Sequence, residues 1–189
     1  MTYVVGCDNA AVAMKNMIME LLKEKGIEVE NAGCDTMEDK TNYPIIAKKV
    51  CEIIVESGYK KRGILVCGTG IGMTITANKF SGIRAALCHD IYSAERSVLS
   101  NDANVLCLGA RVIGPELAKK IVNEWIMLEY KDGPSTPKIQ DICEIERENM
   151  RLLKMGDLKF RHTPFDIKAY RPASVDAGRY AFILNRRPV

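Results

Sequence analysis

The sequence predicts an α/β domain with one parallel sheet wound on both faces, and three observations predict it. Strand-like and helix-like segments alternate along the chain, which calls for parallel strands joined by helical crossovers. The middle of the chain, 63–79, reads as an apolar strand, a glycine turn and a helix start, the basic unit of such folds. A length of 189 residues suffices for one well-buried domain of this kind, with about 40 residues to spare.

The elements follow in order. Residues 3–7 form a short apolar strand ending in Asp8-Asn9. In 10–25, Met14, Met17, Ile18, Leu21 and Leu22 fall at helical spacing, and Gly26 is a fitting stop. Residues 27–32 alternate like a strand, and 35–42 is a polar loop. Pro44 suits a first helical turn, and Ile45, Ile46, Val50, Ile53 and Ile54 mark one face of the helix after it. The third strand, 63–66, runs into Cys67-Gly68-Thr69-Gly70-Ile71-Gly72 and a helix over 73–79. A fourth strand is expected at 84–88, a helix at 91–99 and a fifth strand at 104–108. Pro115 starts a helix carrying Leu117, Ile121, Val122, Trp125 and Leu128. After a Gly133-Pro134 break comes a charged helix from about 138 to 153. Right-handed crossovers then give a Rossmann-like three-layer sandwich with a five-stranded parallel sheet and a C-terminal helix. The domain spans 1–155. Residues 156–189, with three prolines and Arg161, Arg171, Arg179, Arg186 and Arg187, read as an appended basic tail, partly disordered or docked on a partner subunit.

Composition excludes several classes. Hydrophobic and charged fractions of 47% and 27% are those of an ordinary soluble domain. A net charge of +3 is too small to argue for nucleic acid, and no apolar run reaches the roughly 18 residues of a membrane span. The strand at the very start leaves no room for a signal peptide. Seven irregularly spaced cysteines without C-x-x-C, and only two histidines, argue against zinc and for a reducing cytoplasm.

In doubly wound sheets, ligands bind beyond the carboxyl ends of the strands. That rule collects Asp8 and Asn9, the Cys67–Gly72 turn, His89 and Asp90, and Arg111, with Thr41, Asn42 and Tyr43 within reach. Cys67 at a helix start among N–H donors is a spot that favours a thiolate, able to act as nucleophile or base. The glycines let N–H groups approach an oxyanion, and Thr69 adds a hydroxyl. The residues alone leave alternatives open. Cys67 is equally a buried small hydrophobe, Asp8 a helix cap, Arg111 a surface ion pair and His89 a plain hydrogen-bonding group. A dinucleotide site is disfavoured because the glycines fall as G-x-G-x-G on the third strand, although Asp90 lies about 20 residues on, where a ribose-binding acid is expected.

Five segments carry a resemblance: Gly6-Cys7-Asp8, Thr41-Asn42-Tyr43-Pro44, C-G-T-G-I-G-M-T-I-T-A-N-K-F at 67–80, G-I-R-A-A-L-C-H-D at 82–90 and N-D-A-N-V-L-C-L-G-A-R-V-I-G at 101–114. Over roughly residues 1–150 the chain resembles the type B ribose-5-phosphate isomerases and the related galactose-6-phosphate isomerase subunits. The resemblance implies an aldose–ketose isomerisation of a sugar phosphate through a cis-enediolate, without metal or other cofactor. It implies Cys67 as the base, with Gly68, Gly70, Ile71 and Gly72 N–H groups and Thr69 stabilising the enediolate. Asp8 and Tyr43 would hold substrate hydroxyls, Asn101 would lie beside the substrate, and Arg111 would hold the phosphate. A homodimer with shared sites follows, its pairing into a tetramer left open, with no nucleic acid or membrane partner.

Three positions depart from the family pattern. Asn9 stands where the family usually has histidine, and Ser100 where the ring-opening histidine precedes N-D. Of the family's basic cluster only Lys138 keeps a charge, in Gly133-Pro134-Ser135-Thr136-Pro137-Lys138. A site without a ring-opening acid favours an open-chain substrate. A tetrose 4-phosphate qualifies, because its O4 is esterified and cannot close a furanose. Ribose 5-phosphate, erythrose 4-phosphate and a hexose 6-phosphate are therefore the candidate substrates, beside a non-catalytic sugar-phosphate-binding subunit.

Overall fold

The computed structural model describes residues 1–155, and the tail expected at 156–189 lies outside them. Five strands form one sheet: β1 (Thr2–Cys7), β2 (Val29–Asn31), β3 (Lys61–Cys67), β4 (Ala85–Leu87) and β5 (Val105–Gly109). Their order is β2-β1-β3-β5-β4, and every pair is parallel. The described helices are α1 (Val12–Glu24), α2 (Tyr43–Glu56), α3 (Ile71–Ala77), α4 (Ile91–Leu99), α5 (Pro115–Trp125) and α6 (Thr136–Met155). One layer contains α2 packed against α3, and the other contains α5 packed between α1 and α4. This is the three-layer sandwich that the alternation predicts. Met1–Arg147 form one compact unit, and a second begins at Glu148, within α6.

The core explains the pattern. Residues 62–67 of β3 and all of β5 are buried, as expected of strands covered on both faces. The buried apolar positions of α1, namely Val12, Met14, Ile18 and Leu22, fall at helical spacing on the face packed against β1 and β2. Gly26, with φ 70°, ends that helix as expected. Other boundaries shift for local reasons. Asp8 caps a 3-10 turn, Asn9–Ala11, so α1 proper starts two residues later than expected. β2 is only three residues long, but Ala32 and Cys34 N–H groups continue to bond the Val5 and Cys7 carbonyls at 2.9 Å. Both α3 and α6 begin two residues before the expected start. For α6 the cause is a turn in which Thr136 N–H bonds Gly133 O at 3.0 Å and Gly133 N–H bonds the Thr136 hydroxyl at 2.9 Å. Leu128 falls beyond the end of α5.

Strand order places the site. The chain passes from β1 out to β2, then crosses back to β3 on the other side of β1, so the crevice above β1 and β3 is a switch point. β5 flanks β3 on its far side. Register then sets Cys7 beside Val66 and Cys67 beside Gly109, so the residues just past β1, β3 and β5 share one edge.

The amino edge is closed differently. Arg62, 8% exposed, lies with its guanidinium 3.6 Å from the centroid of the Trp125 ring. It donates to the carbonyls of Trp125 and Leu128 where α5 ends, and to that of Ala103 just before β5. Above it opens a cavity of about 620 Å³ whose lining includes Arg84, Asp102, Asn104 and Tyr130. Arg84 and Asp102 form an ion pair there.

Candidate active site

Three turns meet at the carboxyl edge and are bonded to one another. Asp8 N–H donates to Val66 O at 3.3 Å, Ala110 N–H to Cys67 O at 2.8 Å and Arg111 N–H to Gly68 O at 2.9 Å. Cys67 sits in the middle, 6% exposed. Gly70 takes φ 78°, a left-handed conformation that suits glycine, and this folds its N–H back onto the Cys67 sulfur at 3.0 Å. Burial pushes the thiols of Cys7, Cys51 and Cys107 up to about 12 and that of Cys88 to about 11, so they remain protonated hydrophobes at neutral pH. All seven cysteines are free thiols.

The donor ring over Cys67 is smaller than the sequence suggests. Of the N–H groups from Gly68 to Gly72, that of Gly70 is engaged by Cys67, and that of Ile71 points at the Thr69 hydroxyl at 3.4 Å. Because α3 has only seven residues, what it can offer a ligand is its first-turn N–H groups rather than a long-helix dipole. The Thr69 side chain is exposed and has its hydroxyl proton free to donate.

Around this turn stand the other groups. Asp8 accepts from Ala10 N–H at 3.1 Å, so it is a cap, as one sequence reading held, and it also faces the edge. Burial raises its carboxyl above the usual carboxylate range, while the Ala10 N–H and the Arg111 charge pull it back down. A raised native value means that the folded state binds this proton more tightly than the unfolded chain. Its contribution to stability is therefore present below about pH 4, the ordinary aspartate range, and is lost as pH rises through the raised value. Asp8→Asn keeps an acceptor for Ala10 and removes the ionisation. Its unfolding midpoint in urea should exceed that of the natural protein at pH 7, and the gap should close by pH 4; a gap independent of pH would refute this.

Arg111 lays its guanidinium along Gly68, where an added Cβ would meet the Arg111 Nε and Cζ at 3.7 and 3.8 Å. Tyr43 packs its ring on Gly72 so closely that a Cβ there would lie 2.5 Å from Tyr43 Cε2. Asn9 donates to Met37 O at 3.3 Å, tying the polar loop to the edge. Asp8, Asn9, Lys40, Thr41, Asn42 and Tyr43 line a cavity of about 270 Å³.

Two groups collected by the edge rule have other work. His89 Nε2 accepts from Gly109 N–H at 3.0 Å, so that nitrogen holds a lone pair toward the backbone and is not a proton donor to a ligand. Asp90 caps α4 by accepting from Ser93 N–H at 2.7 Å. Among the described residues no group of three or more His, Cys, Asp or Glu side chains could hold a metal ion. No described helix is long and apolar enough to cross a membrane.

The edge thus gathers Asp8, Asn9, Tyr43, Cys67, Gly68, Thr69, Gly70, Ile71, Gly72 and Arg111. It does not gather Ser100, Asn101 or Lys138. Ser100 and Asn101 follow the end of α4, next to Asp102 and the amino-edge cavity. Lys138 follows the start of α6, which the Tyr130–Thr136 hydroxyl bond of 2.7 Å ties to that same edge.

A family model described as ribose/galactose isomerase matches residues 3–142. The chain belongs to the ribose/galactose isomerase family. A D-erythrulose-4-phosphate isomerase of Pectobacterium atrosepticum is 48% identical over 76% of this chain and 94% of its own. A ribose-5-P isomerase B of Listeria innocua is 46% identical over 79% of this chain and 99% of its own. Among solved structures, ribose-5-phosphate isomerase B of Clostridium thermocellum superposes with a TM-score of 0.75 at 40% identity, over 79% of this chain and 99% of the other. That of Mycoplasma genitalium, with bound ribulose-5-phosphate, gives 0.74 at 31% identity, over 78% and 97%. The doubly wound fold is therefore that of an isomerase family.

Two residues of this isomerase went unnoticed in the sequence. Lys40 lines the 270 Å³ cavity from a loop without periodicity. Lys15 is 1% exposed and donates to Asn31 Oδ1 at 3.2 Å, Cys34 O at 2.8 Å and Asp35 Oδ1 at 3.1 Å. A lysine between buried Ala11 and Ile18 on one stripe of α1 was the available signal.

Proposed function

We propose that this chain interconverts an aldose phosphate and its ketose through a cis-enediolate, with Cys67 as the base. The reaction is that of ribose 5-phosphate and ribulose 5-phosphate, or of a close sugar phosphate. The observation that carries it is the Cys67 sulfur held at the carboxyl edge between Asp8 and Arg111, oriented by the Gly70 N–H. The thiolate takes the proton from C2, and the electron pair of that bond moves to form the C1–C2 double bond, leaving negative charge on O1. The first-turn N–H groups and the Thr69 hydroxyl stabilise that oxyanion. The thiol then returns the proton to C1, while the hydroxyl proton of O2 passes to O1, and a ketose results. Asp8 and Tyr43 hold substrate hydroxyls, and Arg111 takes a share of the phosphate charge.

Within this class, a tetrose 4-phosphate is the substrate that the side chains favour. Position 9 is asparagine, position 100 is serine, and His89 Nε2 is occupied by Gly109. No described imidazole is thus placed to open a sugar ring, and a tetrose 4-phosphate has none to open. The name of the Pectobacterium relative agrees with this reading, and that of the Listeria relative with the pentose. Turnover on erythrose 4-phosphate should exceed that on ribose 5-phosphate; good pentose turnover without tetrose turnover rejects the tetrose.

A homodimer with shared sites completes the reading. Ser100, Asn101 and Lys138 stand at the amino edge and reach a Cys67 turn only from a second copy. Exposed Ile45, Ile71 and Ile75 beside the turn give that copy an apolar surface to cover. A fully active monomer in sedimentation velocity would rule this out.

A further inference from the structure

We propose that Lys40 is a further substrate-binding residue of this site, its ammonium binding the phosphate of the substrate. The proposal rests on the isomerase reading above and adds a residue to it. Lys40 is the one cation among the six residues lining the 270 Å³ cavity, and Asp8 is the one carboxylate. Lys40 shares this cavity with Asp8, and the Arg111 charge also acts on Asp8, so both cations stand at the same carboxylate beside Cys67. A phosphorylated sugar lying from Cys67 past Asp8 brings its dianion into the cavity that Lys40 serves.

The loop is built to hold that charge in place. At its base the buried Lys15 ammonium gathers Asn31, Cys34 and Asp35 against α1. Midway, Asn9 holds the Met37 carbonyl. On the far side of Lys40, Thr41 N–H bonds Asp39 Oδ1 at 2.8 Å, an Asx turn that fixes the backbone on both sides of residue 40. The same bonds hold the Asp39 carboxyl below its usual range and spend it on Thr41 rather than on Lys40. No carboxylate among the described residues forms an ion pair with Lys40. An ammonium on a fixed backbone, without an ion-pair partner and over a polar cavity, is suited to a dianionic ester, and because lysine is a point charge it accepts the phosphate in more than one orientation. Since Lys40 does not touch the reacting carbons, its charge should appear in substrate binding and hardly in the chemical step.

Steady-state kinetics of the full chain on erythrose 4-phosphate and ribose 5-phosphate, with inorganic phosphate as competitive inhibitor, test this. Lys40→Met should raise KM and the phosphate inhibition constant by about tenfold or more, with kcat changed less than about threefold. Lys40→Arg should recover most of both. The effect should shrink as salt rises, since an exposed charge is screened. Unchanged KM and phosphate inhibition in Lys40→Met would overturn the proposal, as would an equal loss in Lys40→Arg. An inactive natural protein on every sugar phosphate would instead sink the isomerase reading. In that case phosphate binding measured by calorimetry still decides the role of Lys40.

Discussion

Cys67→Ala should lower kcat by roughly 10² to 10⁴-fold, the usual worth of a positioned general base, on whichever sugar phosphate the natural protein turns over. Substrate affinity should hardly change, because the proposed phosphate and hydroxyl contacts are assigned to Asp8, Tyr43, Arg111 and Lys40 rather than to the sulfur. The fold should also survive, because an alanine loses one sulfur beside Gly70 and places no new group in the core. Single-turnover assays with calorimetric binding separate these effects. A binding protein without catalysis would keep its ligand and have no turnover to lose. A variant that kept more than a tenth of the natural kcat would remove Cys67 from the chemistry.

Gly70→Ala should do comparable damage by another route. At φ 78° a side chain costs about 1–2 kcal/mol before any contact is counted. The added Cβ would overlap Leu87 Cδ1 and come within 3.0 Å of the Leu108 carbonyl, and the second is backbone that cannot swing away. The turn must then move, and with it the N–H that orients the Cys67 sulfur. Loss of stability by about 2–4 kcal/mol and of kcat by about 10²-fold or more is the expected pair. Urea unfolding and kinetics on the same sample read both. A stable, fully active Gly70→Ala would show that the left-handed turn is not needed.

The sequence predicts the sheet and its connections because β3 and β5 are apolar throughout and the helices carry their apolar residues at regular spacing. The Cys67 turn is equally legible, since a strand, a glycine cluster and a helix in succession leave few conformations for the residues between. Boundaries were less so: Asp8 winds a 3-10 turn before α1, and Gly70 starts α3 early, and both depend on backbone torsions that no period reports. Lys40 was not legible at all. Its place depends on the path of a polar loop, and that path is set by contacts distant in sequence, from Lys15 and Asn9. Resemblance assigns Ser100, Asn101 and Lys138 to the site, yet a single chain leaves them at the opposite edge from Cys67, because α4 and α5 run back across the sheet.

Proton transfer through Cys67 is the central claim, and the most direct measurement is isomerisation in D₂O followed by proton and carbon NMR. A base that takes hydrogen from C2 and returns it to C1 exchanges with solvent while it carries it. The natural protein should therefore place deuterium at C1 of the ketose, and Cys67→Ala should place none. Ketose formed with no deuterium at C1, or deuterium incorporated equally well without the sulfur, would contradict the account.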